Sequence, residues 1–129
     1  MSEPVFLRLE EVLRIHARSL AEHGGSEGIR EPGMVESALA SAENTFHYGR
    51  GDVFEVAASY AFGLAESQAF VDGNKRTAVV GAMVFLARNG VYAQPSRWEL
   101  YCAMIDVAEK KKNKADLADI FRRAAAPEN

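Results

Sequence analysis

One short stretch of the chain carries polar side chains whose types and spacing could do chemistry. Asp72, Gly73 and Asn74 form a turn that leads into a helical pattern, and Lys75 and Arg76 follow at once. The first amides of a helix lack partners within the helix and carry the positive end of its dipole. Glycine lets the backbone approach a ligand closely, and two cations beside these amides favour phosphate binding.

Two interpretations of this stretch follow from spacing alone, and both stay open at this point. Asp72 could supply a hard oxygen ligand for an Mg²⁺ ion that bridges nucleotide phosphates. The same residues are also ordinary turn and helix-cap chemistry, with Lys75 and Arg76 as solvated charges. In either case Phe70 is expected to bury its ring and fix the loop.

Other titratable residues are weaker candidates for chemistry. His47 could swing over the site if its segment is mobile, although an exposed histidine without a role is the competing interpretation. His16 is predicted to pack on the apolar side of the first helix, and His23 to interact with a helix dipole. Glu66 is predicted to be a surface charge. No grouping of these residues has the spacing of metal ligands.

The elements that must position this stretch are helices, because apolar residues recur at helical spacing and strand patterns are scarce. The expected helices run from about Leu9 to a stop at Gly24, from Met34 to about Ala42, from the cap Asp52 to roughly Gln68, from near Gly73 to Arg88, from the cap Ser96 to about Ala108, and from the cap Asn113 through Phe121. The expected fold is all-α, a compact bundle of about six helices.

Two segments carry more specific structural expectations. Val79 to Leu86 is apolar on every side, which predicts that this helix is the central, buried one. Asn44 to Gly51 is polar and aromatic and ends in glycines, which predicts a small hairpin or mobile flap before the third helix. The residues at the centre of that predicted flap are Thr45, Phe46, His47 and Tyr48.

Length and charge limit the classes of protein that fit. A chain of 129 residues is enough for one domain, expected to span 1–129. The net charge of −3 disfavours a nucleic-acid binder, although a helical DNA-binding regulator remains an alternative on helix content and the Lys110–Lys112 run. No apolar stretch is long enough to cross a membrane. A single cysteine, Cys102, allows no internal disulfide, so a cytoplasmic protein is expected.

The segment Phe70–Ala78, Phe-Val-Asp-Gly-Asn-Lys-Arg-Thr-Ala, resembles the signature loop of the Fic/Doc family in its Doc, or death-on-curing, branch. The usual form of that loop is His-x-Phe-x-Asp-Gly-Asn-Lys-Arg. The flanks agree, including Gly28–Gly33, Glu36–Leu39, Asn44–Phe46 and Phe85–Gly90. The resemblance covers roughly residues 9–90.

The resemblance implies a role for each matching residue of the loop. Asp72 would hold Mg²⁺ on the phosphates of ATP. Phe70 would anchor the loop in the core. Lysine at position 75, with Val79 where related Fic proteins have a second arginine, resembles members that transfer the γ-phosphoryl group rather than the nucleotidyl group. The implied anion hole consists of Gly73, Asn74, Lys75 and Arg76.

Gln68 departs from the pattern, because it stands where the family has its catalytic histidine. Histidine can accept a proton near neutral pH, whereas the amide of glutamine does not titrate and can only orient a nucleophile by hydrogen bonding. Three explanations remain open. The branch uses another base, or the domain binds nucleotide without turnover, or the residue is an introduced substitution.

The resemblance therefore implies a toxin of a toxin–antitoxin pair. Such toxins use ATP and Mg²⁺ to phosphorylate a threonine of elongation factor Tu, and a cognate antitoxin neutralises them. The predicted flap at 45–49 would hold the target segment in extended form. A nucleotide-binding module without catalysis and a nucleotidyl (AMP) transferase are the alternative functions. No direct nucleic-acid partner and no membrane partner is expected.

Overall fold

The computed structural model describes residues 3–125, and these residues form six helices around a common core. The all-α prediction is confirmed. Within 3–125 the pairing of β type is limited to one isolated antiparallel bridge between Ile29 and Phe70. None of the described helices is both long and apolar enough to span a bilayer. The helices are α1 (Leu9–His23), α2 (Pro32–His47), α3 (Val53–Ser67), α4 (Asn74–Arg88), α5 (Arg97–Ala108) and α6 (Lys114–Ala124).

Three helices begin at the caps that the sequence predicted. The Asp52 carboxylate accepts a hydrogen bond from the backbone N–H of Glu55 at 2.9 Å, and the Glu55 side chain accepts from the Asp52 N–H at 3.0 Å. Asn113 begins α6 with the same reciprocal arrangement. Ser96 accepts from the third residue after it at 3.0 Å. Each cap satisfies an amide that the helix itself leaves unpaired.

The central helix is α3, so the prediction that α4 is the central, buried helix is wrong. α3 packs against α2, α4, α5 and α6, and its residues from Val56 to Ala61 are all buried. α4 buries Thr77, Ala78 and Phe85, but Val80 is 43% exposed. The apolar side chains on the outer face of α4 line an open groove between α1 and α5, which explains why the helix is apolar all round.

The predicted flap before α3 is also wrong, because α2 continues to His47. The hydroxyl of Thr45 donates to the carbonyl of Ser41 at 3.1 Å and lies 2.7 Å from the hydroxyl of Ser59 on α3. Phe46 packs against the core. The contacts with Ser59 and with the core, which are not local in the chain, outweigh the turn-forming pattern of the segment. Only Tyr48 and the residues up to Asp52 lie outside a helix.

An ion pair fixes α1 antiparallel to α4. The guanidinium of Arg88 in the last turn of α4 donates from Nη1 to Oε1 of Glu11 at 2.8 Å and from Nη2 to Oε2. The hydrogen bond from Arg88 lowers the pKa of the Glu11 carboxyl from 4.5 to about 2. This pairing places the C-terminal half of α1 beside the beginning of α4.

We predict that Glu11→Gln lowers the free energy of unfolding at pH 7 by about 1–2 kcal/mol, since a charged, bidentate pair is lost whose side chains are only partly exposed, 13% for Glu11 and 30% for Arg88. Ionised Glu11 stabilises the fold above pH 4.5, and this contribution is lost as the pH falls to about 2. Urea denaturation across that range should therefore show a flatter acid limb for the variant. Glu10→Gln is the control, because Glu10 is 56% exposed and pairs with an arginine that is 70% exposed. Equal losses in the two variants would contradict the role given to Glu11.

Candidate functional site

The loop that carries the predicted chemistry connects α3 to α4 and contains two residues in the left-handed conformation. Gln68 ends α3 with φ 48° and ψ 42°, and Gly73 precedes α4 with φ 80° and ψ 15°. Glycine adopts this conformation freely, whereas for other residues it is uncommon and somewhat favoured by asparagine, aspartate and histidine. Position 68 is therefore one whose backbone suits a histidine at least as well as the glutamine that occupies it.

Asn74 closes the loop by bonding to both polar backbone atoms of Phe70. Its Oδ1 accepts from the Phe70 N–H at 3.1 Å, and its Nδ2 donates to the Phe70 carbonyl at 2.9 Å. The ring of Phe70 is only 1% exposed, so the expected anchor is confirmed as a buried residue. The predicted packing histidine, His16, is also buried and stacks on this ring.

A cleft of about 390 Å³ opens in front of the loop. Its far wall is formed by α5, through Met104, Val107 and Ala108. The structure thus brings together in one concave site the polar side chains of the loop that were predicted to act there, together with the glycine. These lining residues are Gln68, Asp72, Gly73, Asn74, Lys75 and Arg76.

Both carboxylate oxygens of Asp72 accept backbone hydrogen bonds. Oδ1 accepts from the Gly73 N–H at 2.9 Å, and Oδ2 accepts from the Ser26 N–H at 3.3 Å. The residue is exposed at the cleft, so its oxygens can also meet a hydrated cation. A lone carboxylate suits Mg²⁺ when nucleotide phosphates and water supply the other ligands. Among residues 3–125 there is no cluster of three or more side chains able to hold a metal by themselves.

Arg76 is oriented by α1 and the residues that follow it. Its Nε donates to the hydroxyl of Ser19 at 2.9 Å, and its Nη2 donates to the carbonyl of Gly24 at 3.2 Å. Neither of these two bonds involves Nη1. Lys75 is exposed on the same turn of α4. Two positive charges and the first amides of α4 therefore share one end of the cleft, which is the arrangement that binds anions.

The structure adds a segment that the sequence suggested only as a flank of the signature loop. Residues 28–31 run alongside the loop: the amides of Arg30 and Glu31 donate to the carbonyl of Ala69 at 2.7 and 3.0 Å, and the Val71 amide donates to Gly28 at 3.1 Å. The glycines preceding this pairing were the available signal. A Cβ at Gly25 would lie 2.8 Å from the Asp72 carboxylate, and one at Gly28 would lie 3.1 Å from Val71.

Glu66 is a second carboxylate in the cleft. Helical spacing places residues 66 and 68 on nearly opposite faces of a helix, so it does not predict that they share a cleft. They share one because Gln68 is in the left-handed conformation and no longer follows the helix. Glu66 is also exposed and lies 3.5 Å from the ammonium of Lys110. The sequence-based description of Glu66 as a surface charge is therefore correct but incomplete.

His47 and the neighbouring residues of the predicted flap lie away from the cleft. His47 ends α2, its Nε2 lies 3.1 Å from a carboxylate oxygen of Glu3, and its ring packs near Phe6. Thr45 contacts Ser59, which is nine residues before Gln68 and thus about 13 Å along α3 from the loop. The structure gives no support to an acid–base role of His47 or to a flap at 45–48 beside the site.

We predict that Asn74→Ala lowers the free energy of unfolding by about 2 kcal/mol, because two loop-closing hydrogen bonds are lost. Asn74→Asp retains the acceptor and loses the donor, so its loss should be intermediate. Asn44→Ala, at an exposed position of α2, is the control and should stay within about 0.5 kcal/mol of the parent. Chemical denaturation measures all three variants. An Asn74→Ala protein as stable as the control would show that these bonds do not hold the loop.

Comparison of the sequence with known proteins identifies the family of the chain. The model of the Fic/DOC family matches residues 6–86. The chain is 34% identical over 115 residues to the protein kinase doc of Escherichia phage P1, covering 88% of this chain and 90% of that protein. It is 39% identical over 90 residues to the toxin Doc of Mycolicibacterium smegmatis, covering 67% of this chain and 65% of that protein. The chain therefore belongs to the Fic/Doc family.

Proposed function

We propose that the protein is a Doc-like toxin that binds ATP with Mg²⁺ and transfers the γ-phosphoryl group to a hydroxyl of a protein target. The observation that carries this function is the convergence of Asp72, Lys75, Arg76 and the first amides of α4 on one cleft. The relatives named kinase and toxin support the same conclusion.

The phosphates would bind at the beginning of α4. The amides of Asn74, Lys75 and Arg76 have no partner one helical turn earlier, and the two cations lie on the same turn. The amide of Gly73 donates to the neighbouring Asp72 carboxylate at 2.9 Å, at the edge of the same site. The side chain of Asn74 is engaged with the loop, so Asn74 would contribute its backbone N–H to the anion hole. Electrostatic stabilisation of this kind supplies most of the catalysis of phosphoryl transfer.

Asp72 would hold the Mg²⁺ that accompanies the nucleotide. The metal would bridge phosphate oxygens and neutralise their charge. The contribution of the protein is a carboxylate that is already oriented by the amides of Gly73 and Ser26. Such preorganisation favours binding because little freedom remains to be lost.

Gln68 limits the rate of this proposed reaction. The attacking hydroxyl must lose its proton as the new oxygen–phosphorus bond forms and ADP leaves, and the glutamine amide cannot accept that proton. Gln68 can orient the hydroxyl by hydrogen bonding. Loss of a general base costs about 10²–10⁴-fold, so slow transfer is expected. Glu66 is a carboxylate on the same cleft, which makes it the residue to test as an alternative proton acceptor.

Elongation factor Tu is the proposed target, and the cytoplasm is therefore the proposed place of action. The target segment would lie in extended form along residues 28–31, which are exposed and already pair with the loop on their other side. Backbone pairing at such an edge holds a peptide with little dependence on its side chains. The role that the sequence analysis gave to 45–48 moves to this segment because Thr45–His47 is helical.

A nucleotide-binding module without catalysis is the second candidate, and the glutamine at position 68 is the observation that favours it. It shares the proposed phosphate site and differs only in turnover. An AMP transferase differs in the label transferred, because the α-phosphate rather than the γ-phosphate would reach the target.

We predict that γ-labelled ATP labels elongation factor Tu slowly with the parent protein, and about 10²–10⁴-fold faster with Gln68→His. Asp72→Ala should abolish labelling in both backgrounds. Glu66→Gln should abolish only the slow reaction of the parent if Glu66 accepts the proton. α-Labelled ATP is the control for AMP transfer and should give no label. Nucleotide binding without label, even with Gln68→His, would support the non-catalytic module.

A cognate antitoxin is the proposed partner, and the groove between α1, α4 and α5 is its proposed binding site. This groove has a volume of about 610 Å³ and is mainly apolar, with Val80 43% and Tyr101 58% exposed. Lys75 and Arg76 line one end of it and also line the cleft in front of the loop. An amphipathic helix with acidic residues at that end would match both the apolar wall and the cations.

We predict that Tyr101→Ala weakens binding of the proposed cognate antitoxin by about tenfold or more, since an exposed aromatic anchor is removed. Tyr92→Ala is the matched control, because Tyr92 is 75% exposed and does not line the groove. Co-purification and isothermal titration calorimetry measure both variants. Unchanged binding with Tyr101→Ala would exclude this groove as the binding site of the antitoxin.

A further inference from the structure

His16 contacts the loop in two ways that together exceed ordinary packing. Its ring lies 3.8 Å from the ring of Phe70, centroid to centroid, with an angle of 10° between the planes. Its Nε2 lies 2.8 Å from the backbone carbonyl oxygen of Asp72, 56 residues away in the chain. The residue is only 7% exposed. A carbonyl oxygen can only accept, so Nε2 carries the proton and donates it.

The bond to the Asp72 carbonyl determines where the next amide points. In a trans peptide the C=O of one residue and the N–H of the next point in opposite directions within one plane. Fixing the carbonyl of Asp72 towards His16 therefore turns the N–H of Gly73 away from His16. That N–H meets the Asp72 carboxylate at 2.9 Å, and Gly73 lines the cleft.

Without the imidazole, this peptide would have a second accessible orientation. Rotation of the peptide between Asp72 and Gly73 changes ψ of the first residue and φ of the second. Gly73 stands at φ 80°, and glycine adopts positive and negative φ with similar ease. The glycine that allows the loop to turn thus also allows this peptide to flip, and a donor held under the carbonyl opposes the flip.

We propose that His16 is a positioning residue of the nucleotide site, which through the Asp72 carbonyl keeps the Gly73 N–H directed at the Asp72 carboxylate. The stack on Phe70 holds the imidazole in place, and the hydrogen bond transmits that placement to the peptide. This role rests on the proposed nucleotide binding, because the amide that His16 directs orients the carboxylate proposed to hold the Mg²⁺ of the nucleotide.

Two substitutions separate the two contacts of His16. His16→Phe retains a ring on Phe70 and removes the donor, whereas His16→Gln provides an amide donor near the same position and removes the ring. His47→Phe is the control, because His47 ends α2 away from the cleft. Calorimetry with ATP and Mg²⁺ measures affinity, thermal unfolding measures stability, and the ¹⁵N-resolved amide signal of Gly73 in the nucleotide-free protein reports the orientation of the peptide.

For His16→Phe we expect near-parental stability, about tenfold weaker binding of ATP–Mg²⁺, and a Gly73 amide signal that is broadened or doubled. For His16→Gln we expect lower stability but binding within about threefold of the parent. Two results would overturn the role of His16 and leave the proposed function intact. One is an affinity that falls in parallel with stability across the variants. The other is a His16→Phe protein with parental affinity and one sharp Gly73 signal. A parent protein that does not bind ATP–Mg²⁺ overturns the proposed function, and the proposal for His16 with it.

Discussion

The two hydrogen bonds between Asn74 and the backbone of Phe70 are the interaction on which the candidate site depends. They tie the first residue of α4 to the loop before it, so the position of that helix and the path of the loop are fixed together. The other features of the site depend on this junction. The amides of α4, the carboxylate of Asp72 and the guanidinium of Arg76 reach one cleft because the helix begins there and nowhere else.

Two parts of the chain that are remote in sequence hold this junction. α1 supplies His16 stacked on Phe70 and Ser19 against Arg76, and the ion pair of Glu11 with α4 keeps the two helices antiparallel. Residues 28–31 pair with the backbone of the loop. The loop therefore combines exposed, charged side chains with a backbone that is restrained throughout. Such a combination suits a site that must present charges to a ligand without reorganising.

The parts of the fold that were predictable from sequence are those decided within a few residues. Asp52 and Asn113 form reciprocal caps with residues three positions later, so local pattern is sufficient to locate the beginnings of α3 and α6. The flap prediction failed because the end of α2 is held by Ser59 on another helix, a contact with no local signal. The position of residues 28–31 depends likewise on pairing across about 40 residues of chain. The outer face of α4 was misread because an apolar residue such as Val80 can line an open groove as well as a core.

The proposed phosphate site at the beginning of α4 concerns binding, and Gln68 bears only on what happens after binding. The proposal with the widest consequences is thus that the beginning of α4 receives the phosphates of a nucleotide. The most direct measurement is a titration of the ¹⁵N-labelled protein with ATP and Mg²⁺, followed through backbone amide signals. The account predicts that the largest shifts fall on residues 73–76, with little change at the end of α2. Saturating nucleotide that leaves the signals of 73–76 unmoved would contradict it.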